Sequence, residues 1–370
     1  MGFFKSPCLK NQVKYHILTG AGENRDRAIE TPAGRRFYRT GADKGLRIVE
    51  AAMKSIRQIE SREYTLEKIK SLKDNREICV VFSTFGEREA ELIHSKITLL
   101  REEAGDVVDR IVLSHRRKGD TEEKTELRAR EAWDSTEIVL CNATPVPDMG
   151  PERGKGADMR RTLYRLLTGP KRPVDPSGTI VVFLDTDVLT QYFGAHFVYG
   201  LAGAVLEGHD FAKASFWRGM GRVKKFVAQP LFSSIEHPKL RDLSSMAYPL
   251  SGEVAGTLKF FSLVSFWQMY GVETGINVDT CFGDYSVADV NLGLYDHDHH
   301  ADENIQKMAF GIIRTYLLQL LEYGIIELKD GAEVSDRLLA SFIDDRGERK
   351  RMDYDLKEKK YRPLRDILTA

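Results

Sequence analysis

Thr179-Ile180-Val181-Val182-Phe183-Leu184-Asp185-Thr186-Asp187 is the stretch whose reading decides the fold. An unbroken apolar run rich in β-branched residues, closed by carboxylates, reads as a strand buried on both faces of a parallel sheet. Ligands of open α/β sheets bind outside the carboxyl ends of the strands. Asp185 and Asp187 therefore stand where such a ligand would sit. Two carboxylates one residue apart can hold a hard divalent cation, which fills its remaining positions with waters and substrate phosphates. A solvated strand-end turn would have the same sequence, and the tripeptide alone does not choose between them.

The surrounding sequence repeats the pattern. Residues 77–82 (EICVVF), 110–113 (RIVL) and 138–141 (IVLC) are further short apolar runs. Helices are predicted between them over 88–104, 121–132 and 157–167. Strands alternating with helices argue for an α/β fold with a nucleotide-binding parallel sheet. On the amino-terminal side, 43–59 and 65–72 have helical spacing. Residues 1–75 are read as a helical extension, with the first 25 or so poorly ordered. Beyond the strongest strand, helices are expected over 190–207, 254–266 and 301–323, with antiparallel strands at 211–217 and 223–228. The nucleotide-binding half is set at 76–190 and an acceptor-binding half at 191–330. Residues 331–370 are read as a charged, solvated, partly mobile tail.

Composition bounds the partners. The 370 residues carry 55 basic and 55 acidic side chains, so no global charge favours nucleic acid or an anionic membrane. MGFFKSPCLK lacks an apolar run of signal-peptide length. The longest apolar stretches are interrupted by Gly or charge, so no membrane span is expected. Cys8, Cys79, Cys141 and Cys281 lie far apart without a CxxC pair, the usage of reduced thiols in a cytoplasmic protein.

Four further segments carry chemistry-bearing residues. Gly154-Lys155-Gly156 precedes a predicted helix, where glycines admit a close ligand and the helix start and the Lys155 ammonium favour a diphosphate. It is not a Walker loop; a plain connecting loop is the alternative. Gly221-Arg222-Val223-Lys224-Lys225 could clamp an anion or form an exposed basic hairpin. Glu253, Glu273 and Asp279 sit in Gly-rich, apolar surroundings suited to sugar hydroxyls or to helix capping. Asp296-His297-Asp298-His299-His300 mixes imidazoles and carboxylates, either metal ligands or a surface loop.

The order of these segments from residue 77 to 324 resembles the retaining glycosyltransferases that make glucosyl-3-phosphoglycerate, and more distantly the mannosylglycerate synthases. The resemblance implies a glycosyltransferase A-type fold: a Rossmann-like nucleotide-binding sheet with appended helices and an acceptor-binding subregion. Ser83-Thr84-Phe85-Gly86-Glu87 stands where that family has a Pro-Ala-Leu-Asn-Glu segment around uridine, and Ser114 matches a serine near the base. Gly154-Lys155-Gly156 and Asp185-Thr186-Asp187 match its Gly-Lys-Gly and Asp-x-Asp. Gly221-Arg222-Val223 with Pro230-Leu231, Pro249-Leu250-Ser251-Gly252-Glu253, and Tyr270-Gly271-Val272-Glu273-Thr274-Gly275 with Asp279-Thr280 are similar to its later motifs. Leu292-Gly293-Leu294-Tyr295-Asp296-His297 matches its Leu-Gly-Val-x-x-His, and His299 falls where the family has an asparagine near the acceptor phosphate.

The resemblance implies transfer of a hexose, as glucose from UDP-glucose, to 3-phosphoglycerate. Mg²⁺ or Mn²⁺ would be held by Asp187 and His297. It implies donor contacts from Ser83, Thr84, Phe85, Glu87, Ser114, Lys155, Asp185 and Thr186. Acceptor contacts fall to Gly221, Arg222, Val223, Lys224, Glu253, Asp279 and His299, with Asp187, Lys155 and Glu253 closest to the chemistry. A homodimer is the family expectation. Two other readings remain open at this stage. One is a same-fold transferase using unphosphorylated glycerate, another small hydroxy acid or a mannose donor. The other is a nucleotidyltransferase or a non-catalytic nucleotide-binding protein.

Overall fold

The computed structural model describes residues 28–30, 36–38, 56–218, 221–296 and 302–368. The chain divides into two units, Met1–Met53 and Lys54–Ala370. In the first, β1 (Ala28–Glu30) and β2 (Arg36–Tyr38) pair antiparallel.

The second unit begins with β3 (Arg57–Glu60) and α1 (Leu66–Lys73), whose first turn is capped by the Thr65 hydroxyl accepting from the Lys68 N–H. Then come β4 (Glu77–Phe85), α2 (Ala90–Ala104), β5 (Arg110–Arg116), α3 (Lys124–Ala132) and β6 (Glu137–Leu140). α4 (Lys155–Thr168), β7 (Thr179–Asp185), α5 (Ala195–Leu206) and β8 (Phe211–Trp217) follow. Short helices α6 (Gln229–Phe232) and α7 (Arg241–Ser245) lead to β9 (Val254–Thr257), α8 (Leu258–Leu263) and β10 (Phe266–Trp267). The last part holds α9 (Val272–Phe282), β11 (Val287–Leu294), α10 (Asp302–Glu322), β12 (Arg337–Ile343), β13 (Arg349–Asp355), β14 (Lys360–Tyr361) and α11 (Arg365–Leu368).

Among the described residues, eight strands make the central sheet, in the order β3-β11-β8-β9-β7-β4-β5-β6. β9 runs antiparallel to both neighbours; the remaining pairings are parallel. Side chains alternate faces along a strand, and both faces are buried. Ile78, Val80 and Phe82 with Ile180, Val182 and Leu184 pack under α2 and α5. Cys79, Val81, Val181 and Phe183 pack under α4 and α8, where the Phe183 and Phe261 rings meet edge to face at 5.4 Å. Two covered faces explain why these strands read as continuous apolar runs.

The antiparallel β9 positions the site. It enters the sheet from the edge at which β7 ends, and Val254 pairs with Phe183. The residues just before β9, Ser251 to Glu253, are thereby delivered beside Asp185.

Several expectations are corrected. Residues 39–55 lie outside those described, but Arg57–Glu60 is a strand rather than the end of a helix. Ile59 is buried while Arg57 and Gln58 are exposed, and Ile59 pairs with Val290 of β11. Residues 223–228 hold a π-helical turn (Lys224–Ala228), not a strand, because Ala228 and Phe232 point together into a small core with Tyr316 and Leu320. The expected helix 254–266 is a strand, a short helix and a strand. Gly256 passes over the Phe260 ring, and the Thr257 hydroxyl caps the helix from the Phe260 N–H. The expected mobile tail is folded: β12 pairs with β13, and β14 pairs with β10. Tyr361 and Leu364 are essentially inaccessible in the α4–α8 core.

If residues 360–364 are core, removing the Tyr361 ring must cost what a buried aromatic costs. Tyr361→Ala is expected to lower the unfolding free energy by about 3–5 kcal/mol in denaturant melts. Truncating Leu339, half exposed on β12, should change it by less than about 0.5 kcal/mol.

Candidate active site

A cavity of about 830 Å³ opens at the carboxyl ends of β4, β5 and β7. Asp185 pairs with Ser83, and Ser83 with Ser114, across three adjacent strands. At about 4.8 Å between neighbouring strands, the floor spans about 10 Å from the carboxylates to Ser114. Ser83, Thr84, Phe85, Ser114, Lys155, Asp185, Thr186, Asp187, Gly221, Arg222, Val223, Lys224 and Glu253 all line this cavity.

Its centre is an ion cluster. The Lys155 ammonium, on the first turn of α4, lies 2.7 Å from Asp185 Oδ1 and 3.0 Å from Glu273 Oε1. Burial alone would lower its pKa, but Asp185 and Glu273 more than offset this and hold it well above the usual lysine value. Gly252 passes so close that an added Cβ would lie 2.1 Å from Lys155 Nζ and 2.2 Å from Asp185 Oδ2. Gly156 is equally forced: its Cβ would sit 1.8 Å from the Trp267 carbonyl oxygen. The glycines of both sequence motifs are therefore explained by close approach.

Glu253 is fully buried at the cavity wall. It accepts from the Ser251 hydroxyl at 2.7 Å and the Tyr295 hydroxyl at 2.8 Å. Burial, then the Asp185 charge, raises its pKa well above the ordinary carboxylate range. Tyr295 is fixed by stacking on Phe216 at 3.8 Å. From α2, the buried Lys96 ammonium donates to the Thr186 carbonyl, which holds the Asp185-Thr186-Asp187 backbone in place.

At the β4–β5 end, Thr84 Oγ1 lies 2.8 Å from His115 Nδ1, and His115 Nε2 lies 3.1 Å from Glu123 Oε2. Burial lowers the His115 pKa despite the Glu126 and Glu123 carboxylates beside Nε2, and so favours the neutral ring. A carboxylate can only accept. Nε2 therefore carries the proton, Nδ1 accepts, and the Thr84 hydroxyl donates inward. At the opposite end Arg218, Arg222 and Lys224 line the wall, with Lys224 Nζ 4.8 Å from the centre of the Tyr248 ring. A side cavity there of about 130 Å³ is lined by Arg218, Lys224, Lys225, Tyr248, Phe216 and Trp217 among others.

Two nominated residues are not part of the cavity. Glu87 accepts from the Lys124 N–H at the start of α3. Asp279 points into the protein, accepting from the Ser265 N–H, Gln319 Nε2 and the Tyr323 hydroxyl. His297 and His299 lie outside the described residues. Sequence reasoning missed Glu89, Arg218, Tyr295, Asp355 and Leu356, which line the cavity. Arg218 directly follows β8, so the strand-end rule could have found it; nothing local marks Asp355.

No family model matches the chain. A glucosyl-3-phosphoglycerate synthase from Petrotoga mobilis is 33% identical over 214 residues, covering 54% of this chain and 60% of that enzyme. The Mycolicibacterium smegmatis enzyme of the same name is 29% identical over 269 residues, covering 69% and 81%. Among solved structures, mannosyl-3-phosphoglycerate synthase from Rubrobacter xylanophilus superposes with a TM-score of 0.71 at 24% identity, covering 84% of this chain and 97% of that one. Glucosyl-3-phosphoglycerate synthase from Mycobacterium tuberculosis, in complex with Mn²⁺, UDP and phosphoglyceric acid, gives 0.65 at 27%, covering 82% and 95%.

The chain is similar in sequence to glucosyl-3-phosphoglycerate synthases, and its match spans 60% of the Petrotoga mobilis enzyme. Its fold is the GT-A glycosyltransferase fold of that family. The family's Mycobacterium tuberculosis member also has a structure with Mg²⁺ and UDP. In the present chain, no group of three or more His, Cys, Asp or Glu side chains surrounds a metal position among the described residues. The donor set nevertheless fits a hard cation that takes only one or two protein carboxylates and leaves the rest to phosphates. Asp187 lines the cavity beside Glu89. Burial, then Asp187 and Asp185, push the Glu89 carboxyl up to about 7.

Lys213, fully buried on β8, donates to the Ser251 carbonyl at 2.8 Å, and burial lowers its pKa to about 8. From about pH 8 to about pH 10, the unfolded chain keeps a proton that folded Lys213 has released, so this group makes stability rise with pH. Denaturant melts across that range should show a rise that is flatter in Lys213→Met. Equal slopes would rule the assignment out.

Proposed function

We propose that the chain is a retaining glycosyltransferase moving glucose from UDP-glucose to 3-phosphoglycerate with Mg²⁺ or Mn²⁺. One observation carries this reading. The cavity joins a nucleotide-sized floor, an acidic centre and a basic end, on a fold shared with an enzyme whose structure holds Mn²⁺, UDP-glucose and phosphoglyceric acid.

Asp187, with His297 beyond the described residues, would hold the cation, which supplies charge neutralisation of the diphosphate leaving group. The chain's own groups do the rest. Lys155 stands at the donor phosphates, and Asp185 serves the ribose side. Glu253, held by Ser251 and Tyr295, receives hydroxyls of the sugar. Arg218, Arg222 and Lys224 receive the acceptor's anionic groups and orient its hydroxyl, a proximity effect. The bond from glucose C1 to the β-phosphate oxygen breaks, its electron pair staying on the phosphate. The acceptor oxygen bonds C1 on the same face, and its proton passes to the leaving phosphate. No protein nucleophile is nominated.

Thr84 reads the base. Its hydroxyl gives its proton to His115, so toward the cavity it can only accept. Uracil presents a ring N–H in that role, whereas the corresponding cytosine nitrogen carries no proton. Phe85, half exposed at the same edge, offers a face for the ring. A cytoplasmic setting is supported by the unpaired, buried Cys79 and Cys141. A homodimer is supported by the family resemblance.

The decisive experiment incubates purified protein with UDP-glucose, GDP-glucose or GDP-mannose, each with 3-phosphoglycerate or glycerate and Mg²⁺ or Mn²⁺. Glucosyl-3-phosphoglycerate from UDP-glucose is the expected product; a preference for glycerate would remove the phosphate role given to Arg222 and its neighbours. Asp187→Asn should lower kcat by at least about a hundredfold and abolish metal-dependent UDP binding. In calorimetry, Thr84→Val should weaken UDP about fivefold to tenfold, the scale of one hydrogen bond. CDP should stay unchanged, and Thr84→Ser should restore UDP. An unaltered UDP-to-CDP ratio in Thr84→Val would refute the base-reading role.

A further inference from the structure

Glu358 belongs to the segment that reads as a solvated tail, yet its side chain is buried. Its carboxylate accepts three successive backbone N–H groups: Met269 at 3.2 Å, Tyr270 at 3.1 Å and Gly271 at 3.0 Å. These lie at the start of α9, where helix N–H groups lack intrahelical partners and the dipole favours an anion. The slot is shaped for the carboxylate. A Cβ on Gly311 of α10 would lie 2.6 Å from Glu358 Oε1, and one on Gly271 would lie 3.0 Å from Oε2. Arg314 donates to the Glu358 carbonyl at 3.4 Å and pairs with Asp336.

The held turn touches the site in three ways. Met269 and Tyr270 line the cavity. One turn into α9, Glu273 is the second carboxylate on Lys155. The Gln268 carbonyl accepts from the Ala157 N–H at 3.0 Å, steadying the start of α4. The residues around Glu358 grip the same region. The Lys359 and Gln268 backbones are joined, Lys359 Nζ donates to the Asp148 carbonyl and to Glu152, and Asp355 and Leu356 reach the cavity wall. The direct polar contacts of this turn run to Lys155 and to the start of α4. Arg218, Arg222 and Lys224 belong to other elements.

We propose that Glu358 is a positioning residue for the donor half of the site, acting through the 268–273 turn on Glu273 and Lys155. This rests on the transferase reading above. The carboxylate neutralises three converging donors and fixes where Glu273 meets Lys155. An amide at 358 would turn an N–H₂ group toward those same donors and displace the turn.

The test uses Glu358→Gln and Gly311→Ala in the full-length protein, with steady-state kinetics for both substrates, UDP calorimetry with Mg²⁺, and thermal melts. Gly311→Ala favours the α10 helix intrinsically while crowding Glu358, so it separates positioning from helix stability. In both variants the donor KM and the UDP Kd should rise about fivefold or more, the scale of a displaced hydrogen-bonded group. The acceptor KM should stay within about twofold. If Glu358→Gln does not fold, Gly311→Ala decides alone. Donor KM and UDP affinity that stay at the unmodified level overturn the proposal, as does an equal rise in both KM values. Unmodified protein that binds no UDP would instead defeat the transferase reading, so the two failures are distinguishable.

Discussion

One ammonium group between two carboxylates organises the site. Lys155 comes from the start of α4, Asp185 from the end of β7 and Glu273 from the first turn of α9. Removing one member of such a cluster leaves a poorly compensated charge, which costs more than the pair is worth. The environment around it is built to that constraint. Gly252 and Gly156 are small because a side chain would displace the ammonium or the helix start. Two buried lysines show the contrast. Lys96 and Lys213 donate to carbonyls, and burial lowers both pKa values to about 8. Lys155 touches full charges and is raised.

What the sequence reveals follows from how each segment is buried. The run 179–184 is legible because both faces of β7 are covered, so no polar residue interrupts it. β11 contributes as much to the sheet but reads poorly. Asp289 and Asn291 interrupt its apolar pattern, and their partners are distant: the Ala247 N–H for one, Glu60 for the other. β3 is harder still, being four residues at the sheet edge with one buried side chain. The carboxy-terminal segment hides Tyr361, Leu364 and Glu358 among surface charges, because its hairpin is solvated while its anchor is not.

The site divides in the same way. Lys155, Asp185, Asp187, Glu253 and Arg222 lie in motifs whose glycines and strand ends mark them locally. Asp279 shares such a motif and yet faces inward, because Gln319, Tyr323 and the Ser265 N–H claim it. Motif spacing fixes where the backbone goes; which way a carboxylate points depends on donors from other elements. Glu89 illustrates the converse. It sits two residues past the motif's own glutamate, at the turn where α2 begins, and that displacement carries it from the surface to the cavity wall.

The distribution of charge along the cavity bears on why a metal would serve one substrate and not the other. The centre is acidic: Asp185, Asp187, Glu89 and Glu253 face it, and Lys155 is already engaged by two carboxylates. A diphosphate entering there would meet repulsion that one shared ammonium does not cancel, and a divalent cation would supply the missing charge. The far end has Arg218, Arg222 and Lys224 around it, so a small anionic acceptor meets protein cations directly. Where β4 and β5 end, Arg116 lines the cavity but is paired with Asp158. There the Thr84–His115–Glu123 chain fixes a neutral hydroxyl by its proton inventory alone. Under the proposed reading, three kinds of recognition, by metal, by fixed charge and by hydrogen-bond polarity, would share one cavity. The order of the strands β7, β4 and β5 sets the distance from Asp185 to Ser114.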